Sequence, residues 1–234
     1  MMSLLAFTAN ARTRQVFFAG GQSNAKSEWA SAIESVLKSS GGPDVLVVMG
    51  ARGESGLADI FFGSTAERVV REAAGPVLVV RAEPREAYRN VLVGVDLESS
   101  CGALLRDAAG LVPQARITAL HAYQVPFEGA LRRAGVREEE IERHRASALM
   151  EALDGIAALG RDAVGDGRKL IAAGERGEPA RLLVQHAKRI DADLIAVARR
   201  SRSRIQAMLI GSVARRVVAD ADRDVLVLRG PAAA

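Results

Sequence analysis

Displacing the sequence against itself by 148 positions lays residues 50–81 over residues 198–229 without a gap. Arg52, Gly63, Ser64, Ala66, Arg68, Val69, Val70, Ala73, Val77, Leu78, Val79 and Arg81 then fall on identical residues. Identities gathered in one loop, the stretch behind it and one apolar run exceed what shared composition gives, so the chain reads as a tandem duplication. The copies are unequal. The second begins near Arg89, and the same offset would start the first before Met1, so the first lacks counterparts of the second copy's first two strands. Either its sheet is a three-stranded remnant leaning on the second copy, or the reading frame lacks an N-terminal piece.

The repeated unit is legible from its periodicity. Apolar runs of strand length at 15–19, 45–49, 77–80, 91–95, 116–121, 169–173, 193–198 and 225–228 alternate with helical patterns. The helices are expected over 27–37, 64–74, 102–111, about 136–159, 180–190 and 212–221. Gly20-Gly21, Gly41-Gly42-Pro43, Gly75-Pro76 and Gly177-Glu178-Pro179 punctuate the elements. Strands that are apolar throughout are covered on both faces, which predicts an open, mostly parallel sheet with helices on each side. The charged stretch at 82–89, containing Pro84, reads as a linker. The expected organisation is a partial domain at 1–83, a linker at 84–89 and a complete domain at 90–234.

Composition closes several functional classes. A net charge of +4, carried by arginines interleaved with acids, is too mild for a nucleic-acid partner. Trp29, Tyr88, Tyr123 and six phenylalanines form no stacking platform. The longest apolar runs fall far below the roughly 20 residues of a membrane helix. Residues 1–11 carry no early basic residue of a signal peptide. The single cysteine, Cys101, cannot form an internal disulfide, so a reducing cytoplasmic setting is expected.

Chemistry concentrates in one stretch. Directly after the apolar run ending at Met49 come Gly50-Ala51-Arg52-Gly53, a run to Phe62, and Gly63-Ser64-Thr65. A strand, a glycine loop and a helix start present backbone N–H groups and hydroxyls to an anion, which points to a nucleotide phosphate. The plainer reading is a helix entry in which glycine relieves a turn and Ser64 caps the helix; the full spacing argues for the first. The second copy's loop reads Ala198-x2-Ser201-x9-Gly211-Ser212, with its first two glycines gone. Side chains there crowd a backbone meant for close approach, although Arg199, Arg200, Arg202 and Arg204 supply charge. Those arginines read as a solvated loop. No Gly-x4-Gly-Lys-Ser/Thr loop, Gly-x-Ser-x-Gly elbow or metal-spaced histidine or cysteine pair occurs. His121, His144 and His186 lie on different elements, and no residue qualifies as a catalytic base, so neither efficient catalysis nor a protein metal site is expected.

With Val91 to Asp96 as a first strand, Leu120-His121-Ala122 ending a second, Gly177-Glu178-Pro179 before a helix and the Gly50-x2-Gly53-x9-Gly63-Ser64-Thr65 spacing, the chain resembles the universal stress protein family in its tandem-domain form. The resemblance implies Rossmann-like α/β domains of strand order 3-2-1-4-5, the first one partial, that pair through their last strands. Residues 77–80 and 225–228 are the matching edges, so intrachain pairing of the copies within a homodimer is the expected assembly. It further implies a stress-response regulator that binds ATP, with magnesium as the expected counter-ion, and hydrolyses it slowly if at all. Carried over, Gly50, Gly53, Gly63, Ser64 and Thr65 match the phosphate loop, Asp96 matches the acid ending strand one, and Gly211 and Ser212 match what remains of the second loop. The acid and the intact loop sit in different copies. The alternative is a nucleotide-free stress scaffold acting through dimerisation or partner binding.

Overall fold

The computed structural model describes residues 15–19, 45–50, 64–81, 87–97, 101–125, 127–164, 170–199 and 211–230. The helix expected over 27–37 lies outside them, as do Gly53 and Gly63. Among the described residues eight strands form one sheet: β1 (Gln15–Ala19), β2 (Val45–Gly50), β3 (Val77–Val80), β4 (Asn90–Val95), β5 (Arg116–Tyr123), β6 (Leu170–Arg176), β7 (Leu194–Arg199) and β8 (Asp224–Arg229). The helices are α1 (Ser64–Glu72), α2 (Cys101–Leu111), α3 (Glu128–Arg133), α4 (Glu138–Ala163), α5 (Pro179–Arg189) and α6 (Ser212–Asp220). The short α3 has no counterpart in the sequence reading. It buries none of its residues, and so it leaves no apolar stripe to detect.

The strands lie in the order β1-β2-β3-β8-β7-β4-β5-β6, and every neighbouring pair is parallel except β3 with β8. The second part, β4 to β8, therefore has the expected order 3-2-1-4-5. At the seam, Leu78 faces Leu226 while Val77 faces Val227 and Val79 faces Val225. Under the 148-residue offset Leu78 meets its own equivalent and the flanking valines exchange partners. A local two-fold axis thus passes between Leu78 and Leu226, the register of a self-complementary interface.

The first part, β1 to β3, departs from that pattern. Val48 of β2 and Ala196 of β7 are equivalent under the offset; Val48 is beside Phe18 of β1, and Ala196 is beside Val93 of β4. So β1, the strand just before β2 in the chain, occupies the place that strand one occupies in the second part. Strand β6, which just precedes β7, lies instead at the far edge.

Continuous apolar strands divide their side chains between two helical layers. Ile195 and Val197 of β7, with Val77, Val79, Val225 and Val227, pack toward α1, α5 and α6. Leu194 and Ala196, with Leu46, Val48, Leu78 and Leu226, pack toward α2 and α4. Both layers cross the seam, so hydrophobic burial joins the two parts.

Helix α5 starts where the sequence places it. Gly177 has φ 147°, a conformation side chains avoid. Glu178 then caps the helix, its carboxylate accepting from the Ala180 N–H at 3.2 Å and the Arg181 N–H at 2.9 Å. Glu178→Ala is expected to lower stability by about 1 kcal/mol, with Glu178→Asp retaining part of it in the same denaturation series; an unchanged midpoint for the alanine variant would count against the cap. At the start of α3, Glu128 is paired with Arg145, Arg176 and Arg132. The first two hold its carboxyl far below the usual range, at about 2.

Candidate functional site

The direction of the strands decides what can meet. β3 and β8 are antiparallel, so the carboxyl ends of β1 to β3 lie at one edge of the sheet and those of β4 to β8 at the other. Helix α1 ends at Glu72, shortly before β3 begins at Val77, so its amino end points to the carboxyl edge of β2. Helix α6 ends at Asp220, shortly before β8 begins at Asp224, so its amino end points to the carboxyl edge of β7.

Gly50, at the exposed end of β2, and Ser64 and Thr65, which open α1, belong to the first edge. Asp96, after β4, belongs to the second, with Gly211 and Ser212 at the start of α6. The structure places the two groups at opposite edges. At the position of the first part that matches Asp96, the sequence has no acid. Asp96 follows Val93 by three residues, and three residues on from Phe18, which takes the place of Val93 beside the equivalent strand, the sequence has Gly21.

Asp96 is engaged within its own part. The Cys101 thiol donates to its Oδ1 at 2.6 Å, and the Asp96 N–H donates to Cys101 Sγ at 3.4 Å. Burial, then the bond to Asp96, pushes the thiol up to about 12, so at neutral pH it is a hydrogen-bond donor and not a nucleophile. Between them Leu97 adopts φ 62°, and its side chain lies against Gly155 of α4, where an added Cβ would come within 3.1 Å. His121 Nδ1 is 2.9 Å from the Val95 carbonyl. A carbonyl only accepts, so Nδ1 carries the proton and the ring braces the end of β4.

The sequence reading gave Arg199 to a solvated loop, and the structure corrects this. Its Nη1 donates to the carbonyls of Val70 at 2.6 Å and Arg71 at 3.0 Å, at the carboxyl end of α1. Ile195, Val197 and Arg199 share one side of β7, the side that α1 covers, so alternation along the strand carried this signal. Desolvation, and then the neighbouring Arg229, lower the affinity of Arg199 for its proton. Across the seam, Arg81 Nη2 donates to the carbonyls of Val218 and Ala219 of α6.

Gly211 precedes α6 with φ −55°, open to any residue, and as glycine it offers that helix no side-chain cap. The first turn of α6 has no acidic residue, whereas that of α1 contains Glu67. Among the described residues, no group of three His, Cys, Asp or Glu side chains is placed to hold a metal ion, and no helix is long and apolar enough to cross a membrane.

The model of the universal stress protein family matches residues 44–81 and 87–229. A universal stress protein of Mycolicibacterium smegmatis is 29% identical over 187 residues, covering 79% of this chain and 61% of that protein. One of Mycobacterium tuberculosis is 30% identical over 194 residues, covering 80% and 59%. The chain thus spans about 60% of the length of these relatives. Among solved structures, the Pseudomonas aeruginosa protein PA1789, described as functionally unknown, superposes with a TM-score of 0.57 at 16% identity, over 92% of this chain and 81% of that one. A universal stress protein of Archaeoglobus fulgidus gives 0.54 at 21% identity, over 85% and 65%.

Proposed function

Because the chain belongs to the universal stress protein family, we propose that it is an adenine-nucleotide-binding stress regulator whose first part holds ATP phosphates on the loop from Gly50 to Thr65. The observation that carries this reading is the Gly50-x2-Gly53-x9-Gly63-Ser64-Thr65 spacing, set between the exposed end of β2 and the amino end of α1. Gly50, Gly53 and Gly63 let the backbone approach the phosphates; Ser64, Thr65 and the amino end of α1 stabilise their charge. ATP supplies a polyanion, and magnesium in solution offsets part of its charge. The ligand acts as a state signal, with no residue assigned to its hydrolysis. In the second part, Asp96, Gly211 and Ser212 form the weaker seat, since Ala198 and Ser201 replace the loop glycines and Cys101 occupies one oxygen of Asp96. We assign the domains to residues 1–83 and 90–234, joined by a linker at 84–89, a division supported by the two-part family match and by the antiparallel seam between β3 and β8.

A nucleotide-free scaffold is the second reading. The placement of Gly50, Ser64 and Thr65 at one edge and of Asp96 at the other favours it. Calorimetric titration with ATP and magnesium separates the two. The wild type is expected to bind, Gly53→Arg to bind at least about tenfold more weakly, a loss of about 1.4 kcal/mol, and a chain with Ala198→Gly and Ser201→Gly to gain affinity in the second part. Absence of binding by the wild type at millimolar ATP supports the scaffold. Equal binding by Gly53→Arg places the ligand elsewhere.

A further inference from the structure

Helices α1 and α6 end alike. Ala73 N–H closes onto the Val69 carbonyl and Ala221 N–H onto that of Val217, each at 2.9 Å. The next two carbonyls, Val70 and Arg71 in one helix and Val218 and Ala219 in the other, are each taken by one guanidinium. These acceptors are equivalent, residue for residue, under the 148-residue offset. The donors are not. Arg81 directly follows β3, and its equivalent is Arg229; the arginine at α1 is instead Arg199, at the end of β7, whose own equivalent is Ala51. Arg229 is exposed beside Arg199 in the parallel register. The contact therefore recurs with a substitute donor although the sequence symmetry broke, and in both cases the arginine comes from the other part of the chain.

We propose that Arg199 and Arg81 are positioning residues that strap each loop helix to the opposite part, so that Arg199 sets, from the second part, the place of the amino end of α1. Carbonyls of a last helical turn have no partner within the helix and carry the negative end of its dipole. A guanidinium satisfies two of them at once and neutralises that end. Helix α1 is nine residues long, roughly 13 Å at 1.5 Å per residue; packing of Val69, Val70 and Ala73 on the sheet sets its direction, so a contact that holds its carboxyl end against sliding and pivoting also sets where its amino end lies. Resting on the nucleotide reading, this makes Arg199 a determinant of affinity at the first loop without contact to the ligand.

Hydrogen exchange tests the straps crosswise on the full chain. In Arg199→Met the amides of α1 should exchange on the order of fivefold faster, the loss of about one capping contact, with those of α6 unchanged. Arg81→Met should accelerate α6 and leave α1 alone, and Arg199→Lys, which keeps charge and donors, should stay within about twofold of the wild type. Acceleration of both helices in either methionine variant, or of neither, overturns the proposal. In parallel, the dissociation constant for ATP with magnesium should rise about fivefold in Arg199→Met and be restored by Arg199→Lys. A wild type that fails to bind ATP removes the nucleotide reading, while the exchange pattern still decides the straps.

Discussion

Leu78→Ala is expected to destabilise the protein by about 3 kcal/mol, read as a lower denaturation midpoint at unchanged slope. Leu78 is fully buried at the two-fold seam, and Leu226, its equivalent and its register partner, is fully buried too. Both project into the layer formed with α2 and α4, beside Leu46 and Val48. Truncating either leucine leaves a cavity that a backbone held by two sheet neighbours cannot collapse into. Because the two side chains meet, the double variant should depart from additivity by about 1 kcal/mol. Ile171→Ala on the exposed edge strand β6 is the control, expected within about 0.5 kcal/mol of the wild type. A Leu78→Ala cost below that of the control, or loss of β1 to β3 alone with the rest of the sheet intact, would show that the seam does not join the parts cooperatively.

The seam also explains how much of the molecule could be read in advance. Periodicity places the eight strands because each is a short apolar run bounded by glycine, proline or charged residues; β1 and β3 match their expected bounds, and β2 gains only Gly50. Strand β6 extends past its expected end to Arg176, since an edge strand tolerates the polar Glu175 and Arg176 that break the apolar run. Neighbours are harder to read than strands. Nothing in the residues Gln15–Ala19 says that β1 lies beside β2, because pairing depends on which strands are available and not on local pattern. Helix α3 depends on Glu128 meeting Arg145 and Arg176, partners far along the chain.

The candidate site divides in the same way. Loop spacing and the acid at the end of strand one are local and visible in the sequence. Their separation to opposite edges follows from the antiparallel pairing of β3 with β8; the resemblance implied that these strands pair, and their direction comes from the structure. The contact of Cys101 with Asp96 was hidden because it needs the left-handed turn at Leu97, and leucine gives no signal for such a turn. Arg199 was hidden by its neighbours: a run of arginines suggests solvent, although the first of them still belongs to the strand.

Asp224→Ala is expected to cost about 2 to 3 kcal/mol, because it strands two donors at the junction of the parts. The Asp224 carboxylate accepts from the Arg81 N–H at 2.7 Å and from the Tyr88 hydroxyl at 2.6 Å. Asp193 takes the next two amides, those of Arg89 and Asn90, at 2.8 and 2.9 Å. The end of the stretch read as a linker is thus fastened to the second part by two carboxylates, and their equivalents under the offset, Pro76 and Val45, cannot do the same in the first. Burial, and then the charge of Asp224, raise the Tyr88 phenol above its ordinary value of 10.0. A group whose folded value is raised contributes stability that is fully present below its unfolded value and lost as pH rises through the folded one. Wild-type stability should therefore fall more steeply than that of Tyr88→Phe as pH rises above about 10, the unfolded value, because the variant has no phenol to ionise in the unfolded chain. Asp224→Asn keeps an acceptor oxygen without the charge and should lie between the wild type and Asp224→Ala. An Asp224→Ala midpoint equal to the wild type, or an alkaline fall unchanged in Tyr88→Phe, would mean that the junction is held by the apolar seam alone, and the carboxylates would then order the linker without stabilising the fold.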